Sequence, residues 1–84
     1  MQRLSQQFAL PDDALQSRKP RIILSGRSQV SIENHSGLME YTTSCIRVRA
    51  GHSEVAVEGE GLMLSIMDRS VIEITGHIAA VRLS

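Results

Sequence analysis

A chain of 84 residues is one domain at most, and at that size its own core makes it only marginally stable. Nine Lys and Arg are matched by nine Asp and Glu, spread as a weakly acidic body with a weakly basic arm, which is poor material for nucleic acid, since that asks for clustered positive charge. A lone cysteine, Cys45, excludes an internal disulfide, and no apolar run approaches the roughly 20 residues needed to span a bilayer.

Residues 1–20 read as an N-terminal arm. Leu4, Phe8 and Leu10 are followed by Pro11 and the acidic pair Asp12-Asp13. Acidic residues complement the dipole at a helix start, and Pro is tolerated there. A short helix near residues 12–17 of an otherwise flexible arm is therefore expected. The arm lacks the apolar core of a signal peptide, and the chain is expected to stay in a reducing cytoplasm.

Residues 21–84 read as a single β domain. Arg21–Leu24 is an apolar run stopped by Ser25-Gly26, and Gln29–Glu33 alternates with Val30 and Ile32 on one face. Cys45–Arg49 alternates up to Gly51, with Cys45 on the face opposite Ile46 and Val48. Glu54–Glu58 alternates up to Gly59 and Gly61, its carboxylates opposite Val55 and Val57. Leu62, Leu64 and Ile66 share a face. Ile72 and Ile74 lead through Gly76 into residues 77–83, where Val81 and Leu83 change parity, so a bulge is expected near Ala79-Ala80. Such β-branched runs, punctuated by Gly, Asn, Asp and Ser, are strand signals. They predict an all-β fold, a small antiparallel sandwich or roll of about seven or eight short strands.

A weak repeat leaves a short β-solenoid as the alternative. Ser28–Glu33 resembles Ser53–Glu58 at an offset of 25, and Gly51-His52 resembles Gly76-His77 at the same offset. Gly37-Leu38 matches Gly61-Leu62 at 24, and Ile46 and Val48 match Ile72 and Ile74 at 26. A solenoid needs about three or more copies, so an antiparallel meander explains the pattern more economically.

The residues show no catalytic constellation and imply no cofactor. His35, His52 and His77 lack metal-ligand spacing, and His52 and His77, each after a Gly, read as turn residues. Cys45 has nothing beside it to depress its pKa. Arg47 and Arg49 share one strand face, the best feature of an alternative reading as a nucleic-acid-binding small barrel. With a single Phe and a single Tyr, the core falls to Val, Ile, Leu and Met. Tyr41 is expected to anchor it, hydroxyl towards an edge. A core so poor in aromatics favours self-association or a partner. Apolar residues also lie on the second parity, namely Ile23, Met63, Met67 and Val71. These form the candidate interaction surface, and unprotected strand edges offer a second route to contact.

The distinctive segment runs from Ile32 to Thr42, with Asn34 to Gly37 as a turn suited to left-handed backbone and expected to set the register of the strands on either side. Its residues Glu33, Asn34, His35, Gly37, Glu40, Tyr41 and Thr42 follow a Lys-Pro-Arg-Ile lead-in and an earlier Leu-Pro. This string, with the later runs Val55 to Leu62 and Ile72 to Ile78, resembles the YqfC branch of the YabP/YqfC family of sporulation proteins. The likeness covers residues 10–83 and departs from the pattern at residues 50–53 and 67–70. The resemblance implies a non-catalytic protein of endospore-forming bacteria, made in the mother cell and needed for the spore envelope. It implies work in the cytoplasm or peripherally at the forespore surface, with a membrane-associated YqfD-like protein as candidate partner.

Overall fold

The computed structural model describes residues 19–84; the helix expected near residues 12–17 lies outside them. Six strands follow in chain order: β1 (Arg21–Ser25), β2 (Gln29–Glu33), β3 (Gly37–Tyr41), β4 (Cys45–Ala50), β5 (Ser53–Met67) and β6 (Val71–Leu83). They form one open sheet in the order β1-β2-β6-β5-β4-β3, every pair antiparallel. The described residues are all-β, as their alternation predicts, and their antiparallel pairing rules out the stacked solenoid. The strands are fewer than expected because β5 joins the runs at 54–58 and 62–66, while β6 joins 72–74 to 77–83. His77 accordingly lies inside a strand rather than at a turn.

Both long strands bend, and glycine is the reason. A Cβ on Gly59 would lie 2.0 Å from the His77 carbonyl oxygen, and one on Gly76 would lie 2.7 Å from that of Gly61. Real Cβ atoms do not approach backbone so closely, so the crossing is open to glycine alone. The β5–β6 register also slips, pairing Glu58 with Ala80 and Gly59 with Ile78. Ala79 is the extra residue of this bulge, which accounts for the parity change at Val81 and Leu83.

The bend divides the sheet into two halves that share a core. One half holds β1, β2, the start of β6 and the end of β5. The other holds the end of β6, the start of β5, β4 and β3. Val30, Ile32, Ile72 and Ile74 from the first half meet Ile46, Val48, Val55 and Val57 from the second, with Leu62 and Ile78 at the bend. All ten are buried, each contributing roughly 1.5–3 kcal/mol relative to exposure. Tyr41 is not among them. It stands 49% exposed at the edge of the sheet, and its hydroxyl accepts the Leu64 N–H at 3.4 Å.

The repeat in the sequence proves to be a repeat of pairing. β2 pairs with the start of β6 as the start of β5 pairs with β4. Val30 opposes Ile74 and Ile32 opposes Ile72; 25 and 26 residues along, Val55 opposes Val48 and Val57 opposes Ile46. The β3–β4 register, Leu38 on Val48 and Glu40 on Arg47, recurs as Leu64 on Ile74 and Ile66 on Glu73, with a bulge at the same step. Leu38 thus corresponds to Leu64, an offset of 26, and not to Leu62. The turn glycines Gly26 and Gly51 correspond too, at φ 58° and 66°. The two halves are related by an approximate two-fold.

Crowding at the bend makes Gly59→Ala the most damaging single-methyl change, expected to cost more than about 3 kcal/mol. Gly26→Asn, at positive φ with open space around it, should cost less than about 1 kcal/mol because Asn tolerates that backbone. Denaturant midpoints of the two variants check both figures.

Candidate interaction surface

The motif segment ties the two halves together. β2 and β3 lie on opposite sides of the sheet order, so residues 34–36 form a crossover rather than a turn between paired strands. They cannot set a register between strands that never meet. Asn34 has φ 62°, the left-handed backbone that Asn adopts at little cost. Its amide Nδ2 donates to the Lys19 carbonyl at 3.1 Å, and its N–H to the Ser70 carbonyl at 2.6 Å. His35 Nε2 donates to the Asp68 carbonyl at 2.8 Å, and its Nδ1 is buried with no partner among the described residues. Ser36 donates its N–H to the Arg49 carbonyl at 2.7 Å and accepts from Gly51 N–H on its hydroxyl at 3.3 Å. Thr42 caps the β3–β4 hairpin, accepting the Cys45 N–H at 2.9 Å and donating to the Cys45 carbonyl at 3.0 Å. These motif residues serve the architecture, tying turns and strand ends together.

The outer face of the second half is charged. Arg47 sits between Glu40, at 3.0 Å, and Glu54, to which its Nε donates. That hydrogen bond holds the Glu54 carboxyl below its ordinary value. Arg82 reaches Glu58 at 3.4 Å, while on the outer face of the first half Arg21 reaches Glu33 at 4.0 Å across β1 and β2. Arg47 and Arg49 do share the outer face of β4, but Arg47 is neutralised twice over, so the face is not a positive patch. Desolvation first, then the Glu40 and Glu58 carboxylates, push the Cys45 thiol above its ordinary 9.0. It is protonated at neutral pH and a poor nucleophile. His35, His52 and His77 converge on no metal-ligating group among the described residues.

The outer face of the first half is mixed, with four apolar side chains among polar ones such as Arg21, Gln29, Glu33 and Glu73. Ile23 on β1, Met63 and Ile66 on β5 and Val71 on β6 share it, in register with Ser31, Thr75, Glu73 and Glu33 respectively. Met63 is 59% and Ile66 45% exposed. Of the candidate residues, Ile23, Met63 and Val71 lie on this face without forming one cluster, since Ser31 and Glu73 separate Ile23 from β5, whereas Met67 pairs with the buried Ile72 on the opposite parity, although it too is exposed. The bulge between Leu64 and Ile66 makes the exchange, turning Ile66 out and Met67 over. No signal in the run of apolar residues marks that bulge; only its counterpart in β3 does. The two-fold equates Ile66 with Glu40, Met63 with Gly37, Val71 with Cys45 and Ile23 with Arg82. One polar pair survives on both faces, as Gln29 donating to Glu73 in the first half and Arg47 to Glu54 in the second.

The YabP family model matches residues 16–84. The chain belongs to the YabP family. No curated protein and no solved structure matches it. YabP membership gives the chain a sporulation-related role, and it is the described part of the chain, with its crossover and its two unlike faces, that the family pattern covers.

Asp68 closes the β5–β6 turn by accepting the Val71 N–H at 2.7 Å and the Ser70 N–H at 2.9 Å. These donors hold its carboxyl below the ordinary 3.8. A depressed folded-state pKa means the stabilisation is complete above 3.8 and is lost as pH falls through the lower folded value. Asp68→Asn should therefore flatten the acid limb of the stability profile below pH 3.8 and speed amide exchange at Ser70 and Val71. Urea unfolding across that range, with exchange measured at neutral pH, tests it.

Proposed function

We propose that this chain is a non-catalytic sporulation protein that works by binding, presenting the exposed apolar side chains on the outer face of its first half to another protein during assembly of the spore envelope. The observation that carries the reading is the contrast between two faces built on one backbone pattern. Where the second half places Glu40 and Arg82, the first places Ile66 and Ile23, and it adds the exposed Met63. Met63 and Ile66 stand exposed near one another on β5 among polar neighbours, exposed apolar side chains of this kind suit a contact site, and methionine adapts to more than one partner. Family membership supports the sporulation context. The partners expected are a second copy of the chain and a membrane-associated sporulation protein of YqfD-like kind, met in the mother cell.

Met63→Glu and Ile66→Glu place charges on that face without touching the core. Each should unfold within about 0.5 kcal/mol of the parent and weaken association by on the order of tenfold. Light scattering on size-exclusion chromatography at micromolar concentration, with affinity capture from sporulating cells, checks this. A parent chain that runs as a 9.2 kDa monomer and captures nothing through this face would sink the reading.

A further inference from the structure

The second half of the sheet is one strand short beside β6, and the seam left there has the chemistry of a peptide-binding groove. The start of β6 is bonded on both edges, to β2 and to β5, but, among the described residues, 79–83 pair only with β5. Glu54 and Ser84 exchange both N–H to carbonyl bonds, at 2.9 and 3.0 Å. Counting back along an antiparallel ladder, Arg82 and Ala80 also turn towards β5, so Val81 and Leu83 direct their N–H and C=O groups away from it. β1 overhangs this edge from the first half.

Two leucines record the gap. Leu24 opposes the buried Val30, and Leu83 opposes the buried Val55, so both belong to the inner face of the sheet. The two-fold gives them equivalent positions. Yet they are 54% and 65% exposed, because nothing among the described residues lies beneath the one or beside the other. A concavity of about 440 Å³ lies by Leu24, lined by Gly26, Arg27 and residues 77–81. Its two-fold counterpart of about 330 Å³ lies by Leu83, lined by Lys19, Pro20, Ile22, Ala50, Ser53 and Val55. The opposite seam, between β3 and the end of β5, is closed: the Tyr41 hydroxyl and the Thr43 carbonyl accept the Leu64 and Leu62 N–H groups.

We infer that this seam accepts an extended segment of a partner protein by strand addition to the β6 edge, with apolar side chains on one parity and acidic ones on the other. The N–H and C=O groups of Val81 and Leu83, which have no partner among the described residues, call for a strand, and Ile22, Leu24 and Leu83 call for apolar side chains facing inwards. The titratable lining residues are Lys19, Arg27 and His77, with no carboxylate among them, which calls for acidic residues on the other parity. A second copy fits poorly. Its own β6 edge would bring His77 and Arg82 against Lys19 and Arg27. This inference goes beyond the binding role proposed above and uses a different side of the molecule, so the two fail separately.

The test is fluorescence anisotropy of the full chain with a labelled peptide of about seven alternating Val and Glu residues, the length of a typical strand. Saturable binding is expected, with Val81 and Leu83 amide exchange slowed on addition. Affinity should fall roughly tenfold when Arg27→Glu reverses a charge at the exposed turn, and should vanish when the peptide amides of one parity are N-methylated. Thermal melts establish that the Arg27→Glu chain is folded. Equal binding of the N-methylated peptide or of a Val-Lys peptide overturns the proposal, as does absence of protection at Val81 and Leu83. A clear gain in affinity on Asp12→Asn with Asp13→Asn would assign the seam to the chain's own N-terminal segment and overturn it as well.

Discussion

Where β5 and β6 cross at Gly59 and Gly76, two backbones approach more closely than side-chain-bearing residues allow, and what each half of the sheet contains follows from that contact. Because both strands continue through the bend, each serves two halves, and neither half ends in a loop there. The core then closes between halves built from the same pair of strands. It needs no aromatic ring, because branched aliphatic side chains facing each other across a folded sheet interdigitate without one.

The pairing pattern is that of a swapped dimer of three-strand units held in a single chain. The first strand of each unit pairs with the last strand of the other. Such an arrangement separates geometry from chemistry. Register and bulge are held in common by both halves, whereas the outward residues are free to differ, as Glu40 and Ile66 do. The polar pair kept on both faces, Gln29 with Glu73 and Glu54 with Arg47, spans the strands that the two units exchange, where a cross-strand hydrogen bond reinforces the swapped contact.

Much of this was legible in the sequence where alternation was strict. Val30 and Ile32, Ile46 and Val48, Val55 and Val57 all turn inwards as their spacing requires, and the parity change at Val81 correctly implied a bulge near Ala79. Legibility failed where the backbone departs from period two inside an apolar run. Leu62, Leu64 and Ile66 look like one face, but an extra residue at Ser65 turns Ile66 out, and a run of apolar residues on both parities hides the slip. Gly59 and Gly76 read as strand ends because glycine usually punctuates; here it permits a strand to continue through a crossing. Tyr41 was read as core because it is the domain's sole ring, yet its hydroxyl is spent on a sheet edge. The motif residues were visible as a string, but their task of bridging distant turns depends on contacts such as Asn34 to Lys19 and His35 to Asp68 that local pattern does not encode.

The crossover at residues 34–36 also dictates an order of assembly. β3, β4, β5 and β6 succeed one another as neighbours, so they can zip together through short loops as the chain leaves the ribosome. β1 and β2 form a hairpin early in synthesis, yet β2 has no place to dock until β6 has emerged some forty residues later, as the Gln29 to Glu73 separation of 44 shows. Closing so long a loop costs entropy before any contact rewards it. Until β6 emerges, the nascent hairpin must hold Val30 and Ile32 in water, so the first half of the sheet is completed only after the strands of the second half have been made.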